Sequence, residues 1–235
     1  MAVAESKSSQ LRPSDTGLWW FEGWSPGVSA GVVSRQADVA ALRHALPTDT
    51  RLVQAEQVHG SSVALIECSA ELPAPVAGCD ALITRVPATA LLIRTADCMP
   101  VFVSDPVRRI VAIAHVGWRG CAAFLPCRLV AALQRMTASH PADLRIAFGP
   151  SIRPCCYEVS ENFGRWAGTF VQPRGGRWTC DLVGLARQQL TASGVQAAHI
   201  TDCGLCTACR TDQWYSLRRE GQDTGRLMSF ILLRR

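Results

Sequence analysis

Short aliphatic runs separated by polar breaks dominate the chain and set its expected elements. LWWF (18–21), residues 28–33, RLVQAEQV (51–58), SSVALIE (61–67), DALIT (80–84), ALLIRTA (90–96), RRIVAIAHV (108–116) and LRIAFG (144–149) read as strands. They are rich in aliphatic and β-branched residues and lack helical spacing. Further strands near 197–201, 213–217 and 227–233 complete the set. Apolar positions fall at helical spacing in ADVAALRHAL (37–46), which stops before Pro47, and in 182–192, closed by Gly194 as a C-cap. A third helix is expected over 121–136, distorted at Pro126, after a Gly117-Trp118-Arg119-Gly120 turn. Many consecutive strands with few helices between them predict an α+β fold rather than a doubly wound parallel sheet.

Composition narrows the class. With 235 residues and 48% hydrophobic content, the chain has material for a substantial core. It shows no repeat or linker, so one domain is expected from residue 17 to 235, behind a small, polar, disordered tail over 1–16. No apolar run approaches the roughly 20 residues that cross a bilayer, and the start lacks the apolar core of a signal peptide. A cytoplasmic protein with no membrane association is the expectation. Eleven cysteines, an odd number in a long chain without an export signal, point to reduced thiols rather than a disulfide scaffold. The net charge of +5 comes from scattered basic residues, which argues against a nucleic-acid partner. The single lysine, Lys7, lies in the tail and excludes a P-loop or a pyridoxal-phosphate Schiff base.

The candidate chemistry starts at His115, which ends an apolar run directly before the Gly-Trp-Arg-Gly turn. The preceding segment, TADCMPVFVSDPVRRIVAIAHV (95–116), reads as a hairpin. With Pro106 and Val107 at the centre of a type I turn, Cys98 faces His115, and opposed side chains sit about 4.5–5.5 Å apart at Cβ. Among the five histidines, His59 shares the context of His115: a strand end followed by glycine. His44 falls in a helix and His140 in a loop. A His59/Cys98/His115 set suits Zn2+, and three protein ligands leave a position open for water or substrate, the mark of a catalytic zinc.

QVHG (57–60), CDALIT (79–84), TADCMPVFVSD (95–105), AHVGWRG (114–120), FGPSIRPCCYEV (148–159) and CTACRTDQWYSLRREGQDTGRLMSFI (206–231) together resemble the YfiH, or laccase-domain, family. The resemblance runs from about residue 18 to the C-terminus. It implies a layered α/β/β/α sandwich of two related halves, and a zinc ion on His59, Cys98 and His115. It also implies a purine nucleoside phosphorylase that splits adenosine, inosine, guanosine and methylthioadenosine with phosphate and deaminates adenosine. Older labels in the family are multicopper polyphenol oxidase and peptidoglycan editing factor. The chain departs from the family after PGVS (26–29), where PGVSAGVVSRQADVAALRHAL passes directly into a helix without the usual longer segment. That shortening affects one wall of the site.

Arg119 is a candidate for gripping phosphate, and Arg218 for contacting substrate; one of Arg218 and Arg219 must face away on a regular strand. Asp97, adjacent to Cys98, reads as structural. Asp80 and Glu56 are candidate proton carriers without further support. His199, Cys203, Cys206 and Cys209 form a possible second metal set, while Cys155, Cys156 and the remaining cysteines read as packing. Copper-dependent phenol oxidation is disfavoured, because a multicopper centre needs about ten histidines, several as His-x-His. A metal-free alternative makes Cys98 a nucleophile with His115 as its base, in an amidase acting on peptidoglycan precursors. The expected partners are small molecules, in a monomer or homodimer.

Overall fold

The computed structural model describes residues 11–67 and 75–235. Lys7 and most of the expected tail lie outside these residues. Leu11–Pro13 already forms a strand, so ordered chain begins earlier than the polarity of residues 1–16 suggests.

Two six-stranded sheets form the centre. The first contains β1 (Leu11–Pro13), β2 (Leu18–Phe21), β3 (Val28–Val33), β4 (Arg51–Gln54), β7 (Thr89–Thr95) and β15 (Leu227–Leu233), in the order β1-β2-β3-β15-β7-β4. The second contains β5 (Val63–Ile66), β6 (Ala81–Thr84), β8 (Met99–Asp105), β9 (Ile110–Val116), β10 (Arg145–Phe148) and β14 (Ile200–Asp202), in the order β14-β10-β8-β9-β6-β5. A small third sheet joins β11 (Glu158–Val159), β13 (Arg177–Cys180) and β12 (Val171–Arg174). The helices are α1 (Val39–Ala45), α2 (Trp118–Ala122), α3 (Leu125–Thr137), α4 (Gly164–Ala167), α5 (Leu182–Ala192) and α6 (Leu217–Glu220).

The layering follows from the two-residue period of the strands. On β9, Ile110, Ala112, Ala114 and Val116 face Leu129, Leu133 and Leu190 of the helices, whereas Val111 and Ile113 face the other sheet. On β7, Leu91 and Ile93 meet that inter-sheet core, and Ala90 and Leu92 pack with Leu42 of α1 on the far side. The result is α1, sheet, sheet, then α3 with α5: the expected α/β/β/α sandwich. Strands covered on both faces read as continuous apolar runs for this reason. Each large side chain withdrawn from water, such as Phe102 or Phe230, contributes about 1.5–3 kcal/mol.

Local chemistry sets the element ends. Asp38 and Asp181 cap α1 and α5 by accepting from Ala41 N and Gly184 N. The expected turn at Gly117–Gly120 is instead the start of α2, with Gly117 as its N-cap. The helix expected over 121–136 is split by Phe124, whose left-handed φ of 58° ends α2, and Pro126 occupies the first turn of α3, where no N–H is needed. The strand expected near 213–217 does not form. Trp214 is fully buried there, and Ser216 caps α6 through Arg219 N. The strand expected over 197–201 is a 3₁₀ turn at Ala197–His199 followed by β14.

Candidate active site

β8 and β9 carry the hairpin, but in a register two residues from the expected one: Met99 faces Val116, and Pro100, not Cys98, faces His115. The connection is longer because Asp105 Oδ1 accepts from Val107 N (3.0 Å) and Arg108 N (2.9 Å), and Arg109 adopts a left-handed φ of 53°. An even shift keeps each side chain on the same sheet face. Cys98 lies just before β8, after Asp97 with φ 85°, and still reaches His115.

His59 arrives differently from the strand end expected for it. β4 stops at Gln54, and Gln57 and His59 both take left-handed φ values, 66° and 59°. The Gln57 amide replaces a sheet ladder by donating to Arg94 O (2.6 Å) and accepting from Arg94 N (2.7 Å). The bend brings His59 within 4.8 Å of the donor atoms of Cys98 and His115. The two imidazole rings stand edge-to-face, 4.8 Å between centroids.

Asp80 organises this group. It is completely buried at the start of β6, where Oδ1 accepts from His115 Nδ1 (2.9 Å) and His59 N (3.0 Å), and Oδ2 accepts from Gly60 N (2.7 Å). Burial disfavours its charge, but the bonds from His115, Gly60 and His59 prevail and hold its pKa below the usual carboxylate value. With Nδ1 committed to Asp80, His115 presents Nε2 to Cys98 and His59. Burial likewise opposes ionisation of Cys98 and His115. Contacts with His115 and His59 nevertheless bring the Cys98 thiol down to about 6, and Asp80 with Cys98 lifts His115 to about 9.

These donors fit a divalent metal. Two imidazoles and one low-pKa thiol converge, and one imidazole is oriented from behind by a carboxylate, as metal-ligating histidines commonly are. Space for them is created at Gly117, where a Cβ would lie 2.8 Å from Cys98 Sγ and 3.9 Å from His59 Cδ2.

The set opens into a cavity of about 360 Å³, within the usual range for small-molecule sites. Trp118, Tyr157, Arg119 and Arg218 supply its aromatic and cationic lining, and Ile152, Leu182 and Leu217 its apolar lining. Arg119 lies 4.6 Å over the Trp118 ring. Arg218 Nη1 donates to Glu158 O (2.8 Å), and its guanidinium lies 5.5 Å from the Tyr157 centroid. Asp97 also lines the cavity, and its carboxylate is engaged with protein partners: Oδ1 accepts from Thr207 Oγ1 (2.6 Å) and Oδ2 from Arg218 N (2.7 Å). Arg219 turns away, donating through Nε to Ala208 O (3.0 Å), because neighbours on a helix point about 100° apart.

Other expected residues fall elsewhere. Glu56 accepts from Gly78 N (2.6 Å) and is not among the cavity-lining residues. His44 bonds Ala40 O within α1, and His140 caps the following 3₁₀ turn. The set His199/Cys203/Cys206/Cys209 does not assemble. His199 precedes β14 and Cys203 follows it, beside Arg153, while Cys206 and Cys209 meet Cys155 and Cys156. The cysteine pair read as packing therefore belongs to a four-thiol group. Trp118 and Tyr157 lie within quoted motifs, but residue types alone gave them no role. The shortened segment after β3 borders the site indirectly, since Arg35 bonds Thr211 O and Glu220 Oε1, next to α6.

Residues 28–234 match a family model described as multi-copper polyphenol oxidoreductase laccase. The chain is 32% identical over 196 residues to purine nucleoside phosphorylase YlmD of Geobacillus stearothermophilus, covering 77% of this chain and 72% of that one. It is also 32% identical over 195 residues to adenosine deaminase RL5 from an unknown prokaryotic organism, covering 77% and 74% respectively. The crystal structure of YlmD from Geobacillus stearothermophilus superposes with a TM-score of 0.85 at 27% identity, covering 97% of this chain and all of that one.

Proposed function

The chain belongs to this laccase-domain family, and we propose that it is a zinc-dependent purine nucleoside enzyme, cleaving adenosine, inosine, guanosine and methylthioadenosine with phosphate and deaminating adenosine. The observation that carries this reading is the composition of one cavity: His59 and Cys98, whose donor atoms lie within 4.8 Å of those of the buried His115, stand beside Trp118, Tyr157, Arg119 and Arg218. The names of the similar proteins support it.

His59, Cys98 and His115 would hold the zinc, which supplies a Lewis acid with a vacant coordination position. Asp80 fixes the His115 tautomer and ties the His59 segment to it. Trp118 and Tyr157 offer aromatic surface for the purine. Arg119 and Arg218 offer fork-shaped donors for phosphate, whose oxygen bonds to ribose C1′ as the bond to the purine nitrogen breaks. Asp97 keeps Arg218 in place through its backbone. Ile152, Leu182 and Leu217 give the cavity an apolar wall. In deamination, a water oxygen joins C6 and ammonia leaves.

Two observations bear on rival readings. Of the five histidines, only His59 lines the cavity and only His115 joins it in a donor set, so the donor set of a multicopper centre is not assembled. The order Asp80–His115–Cys98 also resembles a carboxylate–imidazole–thiol relay, which favours the cysteine amidase as the second reading. Among the described residues no helix is long and apolar enough to cross a membrane. A reducing cytoplasm suits the described cysteines, which are free thiols; Cys68 lies outside the described residues.

The test is turnover of adenosine, inosine and methylthioadenosine with phosphate by zinc-loaded protein. Cleavage that is abolished in His115→Ala supports the proposal. Absence of turnover, or full turnover by His115→Ala, overturns it. Iodoacetamide-sensitive amidase activity that chelators leave unchanged supports the second reading.

A further inference from the structure

Away from the cavity, four sulfurs converge. The Sγ atoms of Cys155, Cys156, Cys206 and Cys209 all lie within 4.8 Å of one another. Cys209 Sγ is 3.6 Å from Cys155 Sγ and 3.4 Å from Cys156 Sγ. A disulfide requires about 2.05 Å. Four thiolates bound tetrahedrally at about 2.3 Å from one zinc ion place their sulfurs about 3.8 Å apart. The spacing is close to that edge length for Cys209 with Cys155 and Cys156, and stays within 4.8 Å for the other pairs. It is too tight for an iron–sulfur cluster, whose irons and sulfides must fit between the thiolates.

We propose that Cys155, Cys156, Cys206 and Cys209 form a second, structural zinc site. All four positions come from protein, which closes the site to substrate and distinguishes it from the open three-ligand set at His59, Cys98 and His115. The two sites share no residue, so this one does not depend on the proposed activity.

The loops are aligned before any metal binds. Ser151 N donates to Leu205 O (3.2 Å) and Thr207 N to Ser151 O (3.1 Å), so the segments after β10 and β14 run side by side. Arg153 clamps them, with Nη1 and Nη2 each 2.8 Å from the Asp202 carboxylate and Nε donating to Leu205 O. Cys156 N donates to Arg153 O (2.8 Å), folding the Cys155-Cys156 turn back toward Cys206 and Cys209. Each loop thus contributes two thiols from a short, hydrogen-bonded turn.

The site adjoins the catalytic cavity. Tyr157 follows Cys156 and lines the cavity; Thr207 follows Cys206 and bonds Asp97, which holds Arg218. Zinc on the four thiols fixes that wall of the cavity without entering it. Cys155 and Cys209 are exposed, so the ion exchanges with chelators from solution.

The experiment measures zinc in the full chain after reconstitution with zinc chloride and desalting. The variant His59→Ala/Cys98→Ser/His115→Ala, which lacks the first donor set, is expected to retain one zinc per chain. X-ray absorption at the zinc edge should show that zinc with sulfur neighbours only. Cys206→Ser/Cys209→Ser should contain one zinc fewer than the parent and melt at a lower temperature. If that variant does not fold, the triple variant still decides. Less than a tenth of an equivalent of zinc in the triple variant, or nitrogen and oxygen in its first shell, overturns the proposal. So does a disulfide among these four cysteines in protein purified under reducing conditions.

Discussion

Asp80 Oδ1 stands 2.9 Å from His115 Nδ1, and the same buried carboxylate accepts the backbone N–H groups of His59 and Gly60. One acid at the start of β6 thereby sets the tautomer of one histidine and the position of another. Asp80→Asn keeps the volume but removes the charge and one acceptor. Zinc affinity, measured by competition with a chromophoric chelator, should fall about 10–100-fold while the protein stays folded. Unchanged affinity would deny Asp80 its orienting role.

Gly117 makes the donor set possible by what it lacks. Its φ of −92° is open to any residue, so alanine meets no backbone strain there. The added Cβ would nevertheless lie 2.8 Å from Cys98 Sγ. Gly117→Ala should reduce zinc affinity and turnover at least tenfold, at a stability cost of about 1–3 kcal/mol. Metal titration and calorimetry separate the two effects. A variant that binds zinc normally would show that the thiol has room to move.

The metal-free protein carries a pH signature. Cys98 titrates near 6, below an ordinary thiol, so its thiolate persists at neutral pH and is lost only as the pH falls through about 6. Iodoacetamide should alkylate Cys98 at a nearly constant rate above pH 7, slowing about tenfold per unit below 6. Cys121, pushed up by burial, should remain unmodified, and zinc should protect Cys98. Peptide mapping across pH checks all three outcomes. A rate that rises until pH 8–9 would contradict the lowered pKa.

Among the described residues Arg119 shows no ion pair with a carboxylate, and its guanidinium rests over Trp118 at the cavity wall. Arg119→Ala should raise the KM for phosphate about tenfold or more, the size of one lost charge-assisted hydrogen bond. Adenosine deamination, which uses no phosphate, should change far less. Equal losses in both reactions would place Arg119 at the purine or the metal instead.

Much of this architecture is legible in the aliphatic runs. β7, β9 and β15 are covered on both faces, and α5 spans the expected 182–192. The convergence of His59, Cys98 and His115 is legible too, although the route differs. The hairpin register is two residues out because the Asp105 side chain builds its own turn, and the error is harmless only because it is even. Where backbone departs from regular strand, at Gln57, His59 and Asp97, periodicity carries no information about side-chain direction. Residues 213–217 mislead because the buried Trp214 and the Ser216 cap outweigh local β propensity. Spacing in one segment suggests His199 and Cys203 as companions of Cys206. Their actual companions, Cys155 and Cys156, come from a loop some fifty residues earlier. The Gly175-Gly176 pair between β12 and β13 is a hairpin signal that aliphatic patterning alone passes over.

The central claim is that one cavity joins a zinc ion to a purine nucleoside. Anomalous diffraction at the zinc edge, from crystals soaked with inosine and phosphate, tests it most directly. The expected result is an anomalous peak bonded to His59, Cys98 and His115, with the nucleoside in the same cavity beside Trp118 and Tyr157. Donor atoms too far apart to share an ion, or a nucleoside bound elsewhere, would contradict it.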